Sequence, residues 1–273
     1  MYTIATKPQS IFRILADSFR LYRISFPKIW YWQLLFFLPS ALISVLGNFL
    51  QFQQTITTFA AVGASGLIAA LIMTFGQCFL FNRINDLALH KDLPVTLSLR
   101  AAVRKMFPAL AGLILIFIVG VIVFLILTAP LEILAKHHWM ILKQPWVTLA
   151  IGGILTIFLI IIPQLFFVPL LMFENLSVFK AFTKGFRLVW GGWWRTFCLL
   201  LLLALLIAII ILLMGLVNYM ILSELDSGPI ILNWVGVFES LLLNILAIPF
   251  FYCLIIVQYY DLDLRNLRKD KAL

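Results

Sequence analysis

Glu239 and Asn244 are the residues whose type and setting first invite a chemical reading. They stand five positions apart inside a long apolar stretch. An acidic group there is costly, and it marks proton, cation or headgroup sites. Counted from Trp234 at about 1.5 Å per residue, Glu239 lies roughly 7–8 Å inside the hydrocarbon. The alternative is a hydrogen-bonded packing residue near the membrane boundary. Gln164 follows Pro163, with Pro169 close behind and Pro249 in a later stretch. Prolines free backbone carbonyls and break helices. Broken helices line transport sites, and they also occur in ordinary bundles. Glu132, His137 and His138 are metal-ligating types, but a metal site needs more ligands in a defined geometry. HExxH, GxSxG, phosphate-cradling glycine loops and cysteine-pair motifs are all missing from the sequence. We therefore assign no catalytic residue, no metal and no cofactor.

The elements that carry these residues follow from composition. The chain has 273 residues, 64% of them hydrophobic and only 11% charged. Its mean hydropathy is +1.10. Soluble domains run at about 45–50% apolar and about 25% charged, which excludes ordinary soluble enzymes, collagens and disordered tails. The expected class is all-α: a single polytopic membrane domain over 1–273. Six apolar stretches, at 29–49, 61–81, 107–128, 146–167, 196–219 and 232–257, each reach the span length of about 20 residues. Gly66, Ala70 and Thr74 offer a small-residue face for close helix contact.

The basic residues are segregated. Five lie in the first 28 residues, five after the second stretch, four after the fourth and four in the tail. Only Lys136 and Lys143 fall on the other side. This bias places both termini in the cytoplasm. It also explains the excess of 20 Lys and Arg over 11 Asp and Glu without nucleic acid as a partner. Trp30, Tyr31, Trp32, Trp190, Trp193 and Trp194 mark one interface. Trp139, Trp146 and Trp234 mark the other, as aromatic belts do. Cys78, Cys198 and Cys253 are an odd set at the cytoplasmic side and read as reduced thiols.

The segment from Ile11 can be laid without gaps on the one from Val178: Phe12 on Phe179, Arg13 on Lys180, Phe19 on Phe186, Arg20 on Arg187 and Lys28 on Arg195. A shorter copy at 97–108 carries Arg100, Arg104 and Lys105. The implied repeat units are 11–83, 97–171 and 178–258, followed by a cytoplasmic tail over 259–273. Each unit is expected to be a basic interfacial helix followed by two spans. Phe179, Phe182 and Phe186 share one face of such a helix, and Lys180, Lys184 and Arg187 another. Phe12, Leu15 and Phe19 repeat the apolar stripe, beside Arg13, Asp17 and Arg20. Rings in acyl chains and cations among headgroups are what an interfacial helix presents. Pro27 and Gly191-Gly192 are expected to bend the chain from interface to span. Lipid or partner contact is thus expected at Arg13, Arg20, Arg100, Arg104, Lys180, Lys184 and Arg187, with anionic phospholipids as the leading partner. Glu239, Asn244 and Gln164 are the intramembrane polar candidates.

The stretch from Phe167 to Trp190, FVPLLMFENLSVFKAFTKGFRLVW, resembles the YciC-like family of bacterial inner-membrane proteins. In that family a Pro-containing span leads into an amphipathic segment with a small residue, an Arg-Leu and an aromatic. Tyr259-Tyr260-Asp261-Leu262 with Arg265 is similar to the end of the membrane domain fused to some glycerophosphodiester phosphodiesterases. The catalytic barrel of those enzymes needs about 250 residues and does not fit in this chain. The resemblance implies a bacterial inner-membrane protein linked to envelope or lipid homeostasis, and carries no activity with it. The leading expectation is a non-enzymatic protein acting through lipid or partner-protein contacts. The alternative is a transporter or permease subunit for a lipidic or small apolar solute, with an ATPase as its partner.

Overall fold

The computed structural model describes residues 7–50, 56–91, 93–137, 145–224 and 229–270. Within these, side chains are described except over 40–64, 131–146, 217–240 and 268–270. Every regular element among them is helical: α1 (Ile11–Leu50), α2 (Ile56–Ala88), α3 (Val95–His137), α4 (Pro145–Thr156), a π turn (Ile157–Ile161), α5 (Ile162–Gln164), α6 (Phe167–Phe173), α7 (Val178–Trp190), α8 (Trp193–Glu224) and α9 (Pro229–Asp270). Five helical stretches among the described residues are long and apolar enough to cross a membrane: Ser65–Ala88, Val95–Pro130, Val147–Phe173, Trp193–Leu216 and Leu241–Leu267. They coincide with the second to sixth expected spans. Much of the first, at 29–49, falls where side chains lie outside the described residues.

The interfacial helices differ from expectation. Only α7 is a separate helix. The first basic segment and its span form one rod of 40 residues, α1, with Pro27 inside it. At about 1.5 Å per residue that rod is about 60 Å long, twice the hydrocarbon thickness of about 30 Å. The third basic segment likewise continues into α3, through Pro108. The reason lies in the packing of α1. Ile14, Ser18, Leu21, Ser25, Ile29, Gln33 and Phe36 are all buried, at steps of three and four, so one seam runs unbroken past residue 27. Pro27 is on the exposed face, away from that seam.

The apolar stripe of the first basic segment faces outward. Phe12 and Phe19 are 78% and 59% exposed. The seam uses small residues instead. Ser25 Oγ donates to the carbonyl of Leu21 at 2.8 Å and lies 3.5 Å from Cys253 Sγ of α9. Small side chains let two backbones approach, which is how helices associate where lipid and core are equally apolar. The expected small-residue face of α2 does not do this. Among the described residues, a Cβ on Gly66 would meet nothing within 4 Å, Ala70 is exposed, and Thr74 bonds back to the carbonyl of Ala70. The close approaches are at Gly76 against Phe36, Gly112 against Phe167 and Gly152 against Thr128.

The fourth span is broken as its prolines demand. Pro163 has no N–H to return to the preceding turn, and a π turn stands directly before α5. A turn at Leu165 and Phe166 separates α5 from α6. The expected bend at Gly191-Gly192 is present, with Gly192 N–H donating to the carbonyl of Val189 at 2.8 Å. The core gathers around this break, with Phe79, Phe166, Phe167, Leu170, Leu171, Leu199 and Leu254 almost wholly buried. The apolar stretches of α3 and α8 are only 6% and 11% buried, against 61% for the broken span. They are peripheral helices whose apolar sides are exposed.

Candidate functional site

One turn of α9 organises the polar residues at the end of the bundle where the N-terminal segment lies. Gln258, Tyr259, Tyr260 and Asp261 succeed each other at about 100° intervals around the helix, so each faces a different neighbour. Gln258 Nε2 donates to Thr196 Oγ1 of α8 at 2.7 Å. Tyr259 O–H donates to Glu174 Oε1, at the start of the α6–α7 turn, at 2.7 Å. Tyr260 O–H donates to Asn85 Oδ1 of α2 at 2.7 Å. Asp261, fully buried, takes the N-terminal segment and two arginines.

The Asp261 carboxylate accepts Gln9 N–H at 2.6 Å and Arg265 Nε–H at 2.8 Å, and lies 3.3 Å from Arg195 Nε. The Gln9 carbonyl accepts from Arg265 Nη2 at 2.9 Å and also from Arg195 Nη2. Gln9 Nε2 donates to Asp17 Oδ2 at 2.6 Å, and Asp17 pairs with Arg20 at 3.4 Å. The two ends of the described chain are thus fastened together. A buried carboxylate of this kind survives only where its lone pairs are met. Asp261 meets that condition with two cations, which leaves the trio one positive charge in excess.

The basic candidates fall into two groups. Arg13, Arg20, Arg100, Arg104, Lys180 and Arg187 are all exposed. Lys184 is half-buried and paired with Glu174. The turn carrying Glu174 is tight, with Asn175 in the left-handed region at φ 53°. On α7, Ala181, Gly185, Leu188 and Val189 are buried against the bundle. Phe179 is 72% and Trp190 70% exposed, with Lys180 and Arg187 beside them on the helix surface. Phe179 and Trp190 thus face outward next to the cations, whereas Phe182 and Phe186 are half-buried and Phe182 packs against the core.

Gln164 is placed by the same helix. Its Nε2 donates to the carbonyl of Phe182 at 3.1 Å, so it latches α7 onto the broken span. A Cβ on Gly185 would stand 3.1 Å from the Pro163 carbonyl, so that position stays small. Asn244 contributes its backbone carbonyl, which accepts from Gln33 Nε2 at 3.4 Å. The side chains of Glu239, Glu132, His137 and His138 lie outside the described residues, as do those of Trp139, Trp146 and Trp234. Sequence reasoning passed over Arg195 and Arg265 as contact residues. Their signal was the Asp261 and Arg265 pair at helical spacing, just after the last apolar stretch.

Together these observations define an all-helical chain with several long apolar helices, compatible with a multi-pass membrane protein. Comparison with protein-family models, with characterised proteins and with solved structures gives no match.

Proposed function

We propose that this chain is a non-enzymatic, multi-pass protein of the bacterial cytoplasmic membrane that acts in membrane, envelope or lipid homeostasis. It works by contact with anionic phospholipids or with other inner-membrane proteins. The observation that carries this reading is the outward face of α7, where exposed Phe179 and Trp190 adjoin exposed Lys180 and Arg187. Rings seat in acyl chains, and each cation near an anionic leaflet adds about 1 kcal/mol. The segregation of basic residues supports cytoplasmic termini, and the resemblance to the YciC-like family points to the same setting.

The test is native mass spectrometry of the protein released from nanodiscs of mixed phosphatidylglycerol and phosphatidylcholine. Retained phosphatidylglycerol, with fewer molecules held by the Lys180→Ala/Arg187→Ala double variant, is the expected result. Equal retention of the two lipids would overturn the reading. A second reading, a permease subunit for a lipidic solute, is favoured by the broken span with its π turn and buried Pro163 and Pro169. An ATPase that co-purifies without retained lipid would support it instead.

A further inference from the structure

Two open pockets flank the Trp190–Gly191 turn between α7 and α8. The first, of about 630 Å³, is lined by Trp190, Gly191, Gly192, Trp193, Trp194, Arg195, Arg265 and Leu159. The second, of about 390 Å³, carries Lys184, Arg187, Asp263 and Asn266. The first differs in its charge. Its two guanidinium groups share one carboxylate, Asp261, which is itself fully buried. Asp261 accepts from Arg265 Nε and lies 3.3 Å from Arg195 Nε, which makes no hydrogen bond among the described residues, and the Gln9 carbonyl accepts from Nη2 of both arginines. Among the described residues, neither Nη1 has a partner. A guanidinium presents five N–H donors in a fixed fork, so each arginine keeps donors in reserve. The pocket also opens at the N-terminal end of α8, which adds a partial positive charge. Trp190 and Trp194, both about 70% exposed, form an aromatic rim of the kind found at headgroup level.

We infer that the Arg195–Arg265 pocket binds a phosphate group, presented by the headgroup of an anionic phospholipid. The inference rests on the lipid-contact reading above and deepens it by naming a second site, a pocket apart from the outward face of α7. Asp261 fixes both forks from behind, so the free Nη1 groups are held in place without losing side-chain freedom on binding. A diester phosphate takes bidentate N–H donation well. The tryptophan rim accommodates the glycerol and the first methylenes of the acyl chains.

The experiment titrates the delipidated full-length protein in neutral detergent with phosphatidylglycerol, and with phosphatidylcholine as control, by native mass spectrometry. Arg265→Gln is the informative variant, because it leaves the Arg195–Asp261 pair to hold the fold. An unchanged melting temperature verifies that. The first phosphatidylglycerol adduct is expected to weaken about tenfold or more, the scale of one charge-assisted hydrogen bond, while later adducts persist. Lys180→Ala/Arg187→Ala is expected to remove later adducts and spare the first. If Arg265→Gln leaves the first adduct unchanged and the α7 double variant removes it, the pocket is refuted and the α7 reading stands. If neither protein prefers phosphatidylglycerol, both are refuted. Inorganic phosphate is added as competitor: displacement of the first adduct shows that free phosphate is read directly. Persistence of the adduct shows that the esterified headgroup is required.

Discussion

The side-chain amide of Gln164 is bonded to the backbone carbonyl of Phe182 at 3.1 Å, across the contact between the broken span and α7. Gly185, one turn further along, lets α7 come down onto the Pro163 carbonyl. The break in the span and the docking of the amphipathic helix are therefore one feature. The Pro163 carbonyl and the Gln164 side chain make the seat, and α7 occupies it through Gly185. Gly185→Leu is expected to lift α7 away, with a loss of about 1–3 kcal/mol from overpacking. Limited proteolysis at the α7–α8 turn should then accelerate, while Gly66→Leu, in open space, should leave digestion unchanged.

Asp261 anchors the polar end of the bundle. Its replacement by alanine leaves Arg195 and Arg265 facing each other with no intervening carboxylate. Removing one partner of a buried ionic group costs about 3–5 kcal/mol. Asp261→Ala should lower the melting temperature in detergent sharply. Asp261→Asn, which keeps acceptor oxygen but not charge, should fall between. A melting temperature unchanged by the alanine variant would show that the trio is not a fastening.

The seam of α1 predicts a sharp contrast between adjacent residues. Ser25 is buried against Cys253, whereas Pro27 is exposed. Ser25→Leu should destabilise by about 1–3 kcal/mol through overpacking. Pro27→Ala restores a backbone N–H and should raise thermal stability, since an interior proline costs about 3 kcal/mol. Loss of folding in Pro27→Ala would instead mean that a bend is required there.

Thiol labelling offers an independent check of the packing. Cys78 and Cys253 are buried, and Cys198 is half-buried on peripheral α8. A membrane-permeant maleimide should modify Cys198 first, and the other two only after denaturation. Single-cysteine variants followed by intact mass would report the order. Early modification of Cys253 would contradict the close α1–α9 seam.

Much of the architecture was legible in residue order alone. Length and apolarity located the long helices. Two adjacent glycines marked the α7–α8 bend, and Pro163 marked the broken span. Each of these effects is local: a missing N–H, an absent Cβ, or a run of residues too apolar for water. The separation of Phe179 from Lys180 on α7 was equally readable, because helical periodicity needs no knowledge of neighbours.

What the tertiary structure decided was which face of each helix turns inward, and which charges meet. In water an apolar stripe identifies the core. Beside lipid it does not, because the surrounding is as apolar as the interior. Phe12 and Phe19 are exposed, while Ser18 and Ser25, small enough to let backbones close, go in. The same limit applied to charge. Nothing near Asp261 in sequence, apart from Arg265, announces that Gln9 and Arg195 complete its coordination. Those partners are brought together only when α1, α8 and α9 pack, and only there does a surplus positive charge acquire a fixed place.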